Sequence, residues 1–87
     1  RVVRILFDSV IAYRNINESF RLRTLEQIRG MELPPLVTVE NSHWLAWLRH
    51  ESGGVLDGVA LVHYMIITPE DIIEIASEFP PRVEHLN

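Results

Sequence analysis

Three carboxylates in this chain have the residue type that a hard cation requires: Glu40, which closes an apolar run, Asp71, in the corner Thr68-Pro69-Glu70-Asp71, and Asp8. Two or three carboxylates at neighbouring strand ends are how many Mg²⁺-dependent phosphoryl-transfer sites are assembled, because a hard divalent ion takes oxygen ligands. The chemistry they suggest is that of a minimal or degenerate phosphoryl-transfer or nuclease-type domain, with Mg²⁺ as its only cofactor. The plainer account of the corner is capping, in which Thr68 starts a helix and Glu70 and Asp71 complement its dipole. Capping explains all four residues, so it carries the greater weight and no residue is assigned a catalytic role outright.

The histidines add little metal chemistry. His43 and His50 share a helix face, but two turns of rise separate them by about 10 Å, too far for one ion with ligand bonds of about 2 Å. His63 lies inside an apolar run and reads as a buried, hydrogen-bonded residue rather than a base. No glycine-flanked serine marks a nucleophile elbow, no glycine-rich loop is built to cradle phosphate, and Gly53-Gly54 reads as a turn.

Charge is distributed unevenly. From Arg1 to Gly30 six Arg face three carboxylates, a balance of +3, whereas from Met31 onward two Arg face nine carboxylates, a balance of −7. Arg21, Arg23 and Arg29 form the densest cationic stretch and could meet nucleic acid or an acidic partner. With only Phe20 interleaved among them, nucleic-acid binding is expected to be weak and without sequence preference.

With 87 residues the chain forms one small domain, and 47% hydrophobic residues is a high fraction where so little of the surface can be buried. Some of that apolar surface is expected to meet another protein or a second copy of this chain. The absence of Cys removes disulfides, zinc–thiolate sites and thiol nucleophiles, and favours an intracellular, cytoplasmic setting over a secreted scaffold. The longest apolar run is about half of the ~20 residues a membrane span needs, so no membrane partner is expected. A chain opening on Arg reads as a fragment or processed product. Arg4 and Asp8 interrupt what would otherwise resemble a signal peptide.

Val59 to Ile67, nine residues with one polar member, reads as a strand buried on both faces. Around it the periodicity favours a helix over residues 2–13, with Val3, Leu6, Phe7, Val10 and Tyr13 on one stripe and a strand limited to Val2 to Phe7 as the alternative, then predicts a short strand from Phe20 to Arg23. A short helix follows over Leu25 to Arg29, stopped by Gly30. Pro34-Pro35 is the clearest break. Beyond it come a strand at Leu36 to Glu40, a helix at His43 to Glu51 capped by Asn41 or Ser42, the long strand, and a helix at Pro69 to Phe79 stopped by Pro80-Pro81.

This order predicts an α/β domain of two layers, with a short, mostly parallel sheet, strands near 36–40 and 59–67, and packed helices. It divides the chain into an Arg-rich N-terminal segment (1–33), a βαβα unit (36–79) and a C-terminal tail (80–87). The parallel sheet would bring Glu40 beside the Thr68 to Asp71 corner. The function expected is that of a non-enzymatic protein–protein interaction domain or small subunit of a larger chain or complex. Trp47, the N-terminal apolar stripe, Arg21, Arg23 and Arg29 are its contact residues, since aromatics and Arg anchor interfaces.

Overall fold

The computed structural model describes residues 2–86 and shows a mostly antiparallel β protein with two short helices. In chain order the elements are β1 (Val2–Leu6), β2 (Val10–Asn17), a single 3₁₀ turn (Glu18–Phe20), α1 (Leu22–Ile28), β3 (Leu36–Val39), α2 (His43–Glu51), β4 (Val62–Ile67), β5 (Asp71–Ser77) and β6 (Arg82–Leu86). Four strands form a sheet in the order β2-β5-β4-β3, while β1 and β6 pair as a separate two-stranded ribbon, and every pairing is antiparallel.

This overturns the α/β expectation at three places. Residues 2–13 are two strands broken at Asp8-Ser9, not a helix. Their Val and Ile content suits strands, where β-branched side chains lose less freedom than in a helix. The expected apolar stripe is therefore split between β1, its following turn and β2. Pro69 to Phe79 contains β5 rather than a helix, so β4 returns through a tight hairpin instead of a crossover. The unit 36–79 is β-α-β-β and its sheet is not parallel. Thr68 does cap, but it caps this turn: its hydroxyl accepts from the Asp71 amide at 2.8 Å and donates to the Asp71 carbonyl at 2.9 Å. Finally, residues 82–86 of the expected tail form β6.

Other elements stand where the sequence puts them. β3 occupies Leu36–Val39, α2 runs His43–Glu51, and Ser42 caps α2 by accepting from the Leu45 amide at 3.1 Å. In place of a strand at Phe20 to Arg23 the chain makes the 3₁₀ turn and enters α1, which Gly30 follows at φ +80, a conformation open to glycine.

Alternation along the strands gives the four-stranded sheet two unlike faces. One presents Arg14 and Ile16 of β2, Ile72, Glu74 and Ala76 of β5, His63 and Met65 of β4, and Val37 and Val39 of β3. On this face lie Ile72, Glu74 and Ala76, each at most 1% exposed, and over it sit α1 and the N-terminal end of α2. The opposite face carries Tyr13, Ile73, Ile75 and Ile66, with Tyr64 covered by Phe7 edge-on at 5.3 Å between ring centroids. At the far end of α2, Arg49 pins the connection to β4 by donating to the carbonyls of Leu56 and Val59, both at 2.7 Å.

Candidate functional site

Strand alternation aims one acidic side chain, Glu74, at the helix-covered face from the centre of the sheet. The position directly opposite on β2 is Arg14. Arg14 donates to both Glu74 carboxylate oxygens, from Nε at 2.7 Å and from Nη2 at 3.1 Å, a fork that suits guanidinium geometry. Arg21, at the entry to α1, donates to the same carboxylate and also to Thr24 Oγ1 at 3.0 Å. His63, on the neighbouring strand, completes the group with Nε2 2.7 Å from Glu74 Oε2.

Glu74 is 1% exposed and His63 3%. Burial alone pushes a carboxyl upward, yet hydrogen bonds from His63, Arg14 and Arg21, with the Arg14 charge added, outweigh it and hold Glu74 well below the usual carboxylate range. Among the described residues no buried side-chain nitrogen or oxygen lacks a partner.

The network continues outward. A carboxylate can only accept, so His63 Nε2 carries a proton; in the neutral imidazole Nδ1 is then the acceptor for the Ser42 hydroxyl, 2.7 Å away. Ser42 Oγ receives the Leu45 amide at the same time, which leaves its own hydrogen free for His63. Trp44 meets the His63 ring edge-on at 5.0 Å and carries the Arg14 guanidinium 4.7 Å from its ring centroid. The chain Ser42–His63–Glu74 thus joins the start of α2 to the middle of the sheet.

Above this chain opens a cleft of about 550 Å³. The Glu74 group and Ser42 form its floor, Ile28, Met31, Leu33, Val37 and Met65 supply apolar wall, and Glu40 stands among its lining residues. A shallower groove, bounded by Arg14, His43, Trp44 and Trp47, adjoins it across α2.

The residues singled out from sequence are not gathered into one metal site. Glu40 follows β3 near the His63–Ala76 row, whereas Asp71 opens β5 five residues along the sheet, about 17 Å away by strand rise alone. Their expected proximity depended on parallel strands and falls with them. Asp8 precedes β2 on the opposite edge from β3, three strand spacings or about 14 Å across, and pairs with Arg82 at 3.2 Å. Among the described residues no group of three or more His, Asp or Glu is placed to hold a metal ion.

Of the predicted contact residues, Trp47 is exposed, as are Arg23 and Arg29, but the Arg21 side chain is only 12% exposed and is held by Glu74. Arg14, Ser42 and Glu74 were not legible as site residues from sequence. The available signals were Arg14 in an alternating strand and a lone Glu inside Asp71-Ile-Ile-Glu-Ile-Ala-Ser77. No family model, curated protein or solved structure matches the chain. Among the described residues no helix is long and apolar enough to cross a membrane.

Proposed function

We propose that the chain is a protein–protein interaction domain, a module of a larger chain or complex, that seats an extended segment of a partner along the groove beside α2. The observation that carries this reading is Trp47. The residue is 55% exposed on α2, where it shares a groove with Trp44, Arg14 and His43, which also line the deeper cleft. An exposed indole next to an ordered guanidinium is the composition of an interface anchor. Arg14 is already fixed by Glu74 and Trp44, so little side-chain freedom remains to be lost on binding. Further exposed apolar residues, Phe20 and Leu22 among them, support a surface that meets another chain.

The cation reading of the N-terminal third is narrower than its Arg count suggests. With Arg21 committed to Glu74, Arg23 and Arg29 are left as the outward cations of the predicted trio, and contact with nucleic acid through them stays weak and strongly salt-dependent.

Panning a library of displayed random peptides against the folded domain tests the interaction reading. Peptides with an aromatic or aliphatic anchor should be enriched, and Trp47→Ala should weaken their binding at least tenfold while leaving the melting temperature near that of the parent. Failure to enrich any peptide, or enrichment indifferent to Trp47→Ala, counts against it.

A further inference from the structure

We propose that Ser42 is a nucleophile toward carboxylic esters with an apolar acyl group, with His63 as its general base and Glu74 as the residue that positions the ring. This inference does not rest on partner binding at Trp47. It rests on the geometry of three side chains and the cleft above them.

A serine hydroxyl becomes reactive when a base stands ready to take its proton and a third group fixes that base. Both contacts are present here. Ser42 Oγ lies 2.7 Å from His63 Nδ1, and His63 Nε2 lies 2.7 Å from Glu74 Oε2. The imidazole is held on one side by Glu74, which is itself fixed by two guanidiniums, and Trp44 packs its edge against the ring. The ring therefore presents Nδ1 to the serine with little freedom to turn.

Local backbone explains how Ser42 reaches this position without flanking glycines. The chain leaves β3, turns at Asn41, whose φ of +53 lies in the left-handed region that Asn tolerates, and enters α2 at once. Ser42 thus occupies a strand–turn–helix corner and lines the cleft. Its oxygen accepts one amide hydrogen bond, from Leu45, and keeps a second lone pair for attack. The amides of His43 and Trp44, in the first turn of α2, have no acceptor within the helix and can serve an oxyanion formed beside Ser42.

The reaction balances with water as the second substrate. Ser42 Oγ bonds to the ester carbonyl carbon while its proton passes to His63 Nδ1, and the carbonyl pair moves onto oxygen. The oxyanion collapses, the bond to the alkoxy oxygen breaks, and the departing alcohol takes the proton back from Nδ1, leaving an acyl group on Ser42. Water, deprotonated by the same nitrogen, then releases the carboxylic acid and restores the hydroxyl. The apolar wall formed by Ile28, Met31, Leu33 and Met65 fits the acyl chain.

The test uses the intact protein, p-nitrophenyl butyrate as substrate and a fluorophosphonate as covalent probe, with the modified residue found by peptide mass spectrometry. The wild type should release nitrophenol above the buffer rate and carry one phosphonyl group on Ser42. Removing the hydroxyl endangers the helix cap, so Ser42→Asn, which keeps a side-chain oxygen for the Leu45 amide, accompanies Ser42→Ala. Both should lose labelling, and Ser42→Asn should do so with circular dichroism unchanged. His63→Gln should slow labelling of Ser42 by at least ~100-fold. No label on the wild type, a label on another residue, equal labelling of Ser42→Asn, or labelling indifferent to His63→Gln each overturns the proposal.

Discussion

His63 and Glu74 meet diagonally across two central strands. In the β4–β5 register His63 lies opposite Ala76 and Glu74 opposite Met65, yet imidazole Nε2 and carboxylate Oε2 approach to 2.7 Å because both side chains stand on the same face. Every other polar contact of the site is built outward from this pair. Arg14 and Arg21 close on the carboxylate, and Ser42 closes on the far side of the ring.

The first consequence concerns stability. Removing Glu74 leaves Arg21 and His63, both largely buried, without their shared acceptor. Breaking one side of a buried ionic group is typically worth ~3 kcal/mol or more. Glu74→Ala should lower the stability by about that amount in denaturant titrations, against well under 1 kcal/mol for an exposed carboxylate such as Glu78.

A second consequence is acid sensitivity. Because the Glu74 carboxyl is held below its ordinary value of 4.5, the unfolded chain takes up a proton there before the folded one does as pH falls. The stability this carboxylate lends is therefore complete above pH 4.5 and is lost progressively in more acid solution. For one proton the slope is about 1.4 kcal/mol per pH unit. Urea titrations between pH 5 and pH 2 should show the wild type losing stability more steeply than Glu74→Gln, and equal slopes would refute the depressed carboxyl.

Arg49 gives a third prediction, on dynamics. Its two hydrogen bonds to the Leu56 and Val59 carbonyls fasten the loop between α2 and β4. Arg49→Ala should raise hydrogen exchange at amides in residues 53–61 while leaving β4 and β5 protected. Exchange spread evenly over the whole sheet would instead show that this arginine supports the fold globally.

The exposed apolar surface gives a fourth. If the partner is a second copy, light scattering over a concentration series should report a mass rising above 10.1 kDa. The rise should be reduced in Trp47→Ala. A concentration-independent monomer would assign the surface to a different chain.

The extent to which all this could be read from residues follows from where the buried charge sits. α2 was legible because Ser42, an apolar face and Gly53 mark its ends, and β3 because Pro34-Pro35 and Asn41 bracket it. β5 was not, since Glu74 occupies a core-facing position and makes the alternation of Asp71 to Ser77 look helical. Partners from other elements, with Arg14 of β2 directly opposite, turn that position into a strand residue. Nothing local reveals that pairing, because Arg14 and Glu74 are 60 residues apart. Separation in sequence hid the site as well: Ser42 reads locally as a helix cap and His63, 21 residues on, as a core residue, and their relationship exists only once β3 and β4 pair.

The central claim, a fixed hydroxyl–imidazole–carboxylate chain, is tested most directly by the ¹⁵N shifts of the His63 ring, read from long-range ¹H–¹⁵N correlations at pH 8. The structure predicts one tautomer, with hydrogen on Nε2 and an Nδ1 resonance in the range of a hydrogen-bonded acceptor that moves on Ser42→Ala. Two averaged nitrogen shifts, hydrogen on Nδ1, or an Nδ1 shift unmoved by Ser42→Ala would contradict it.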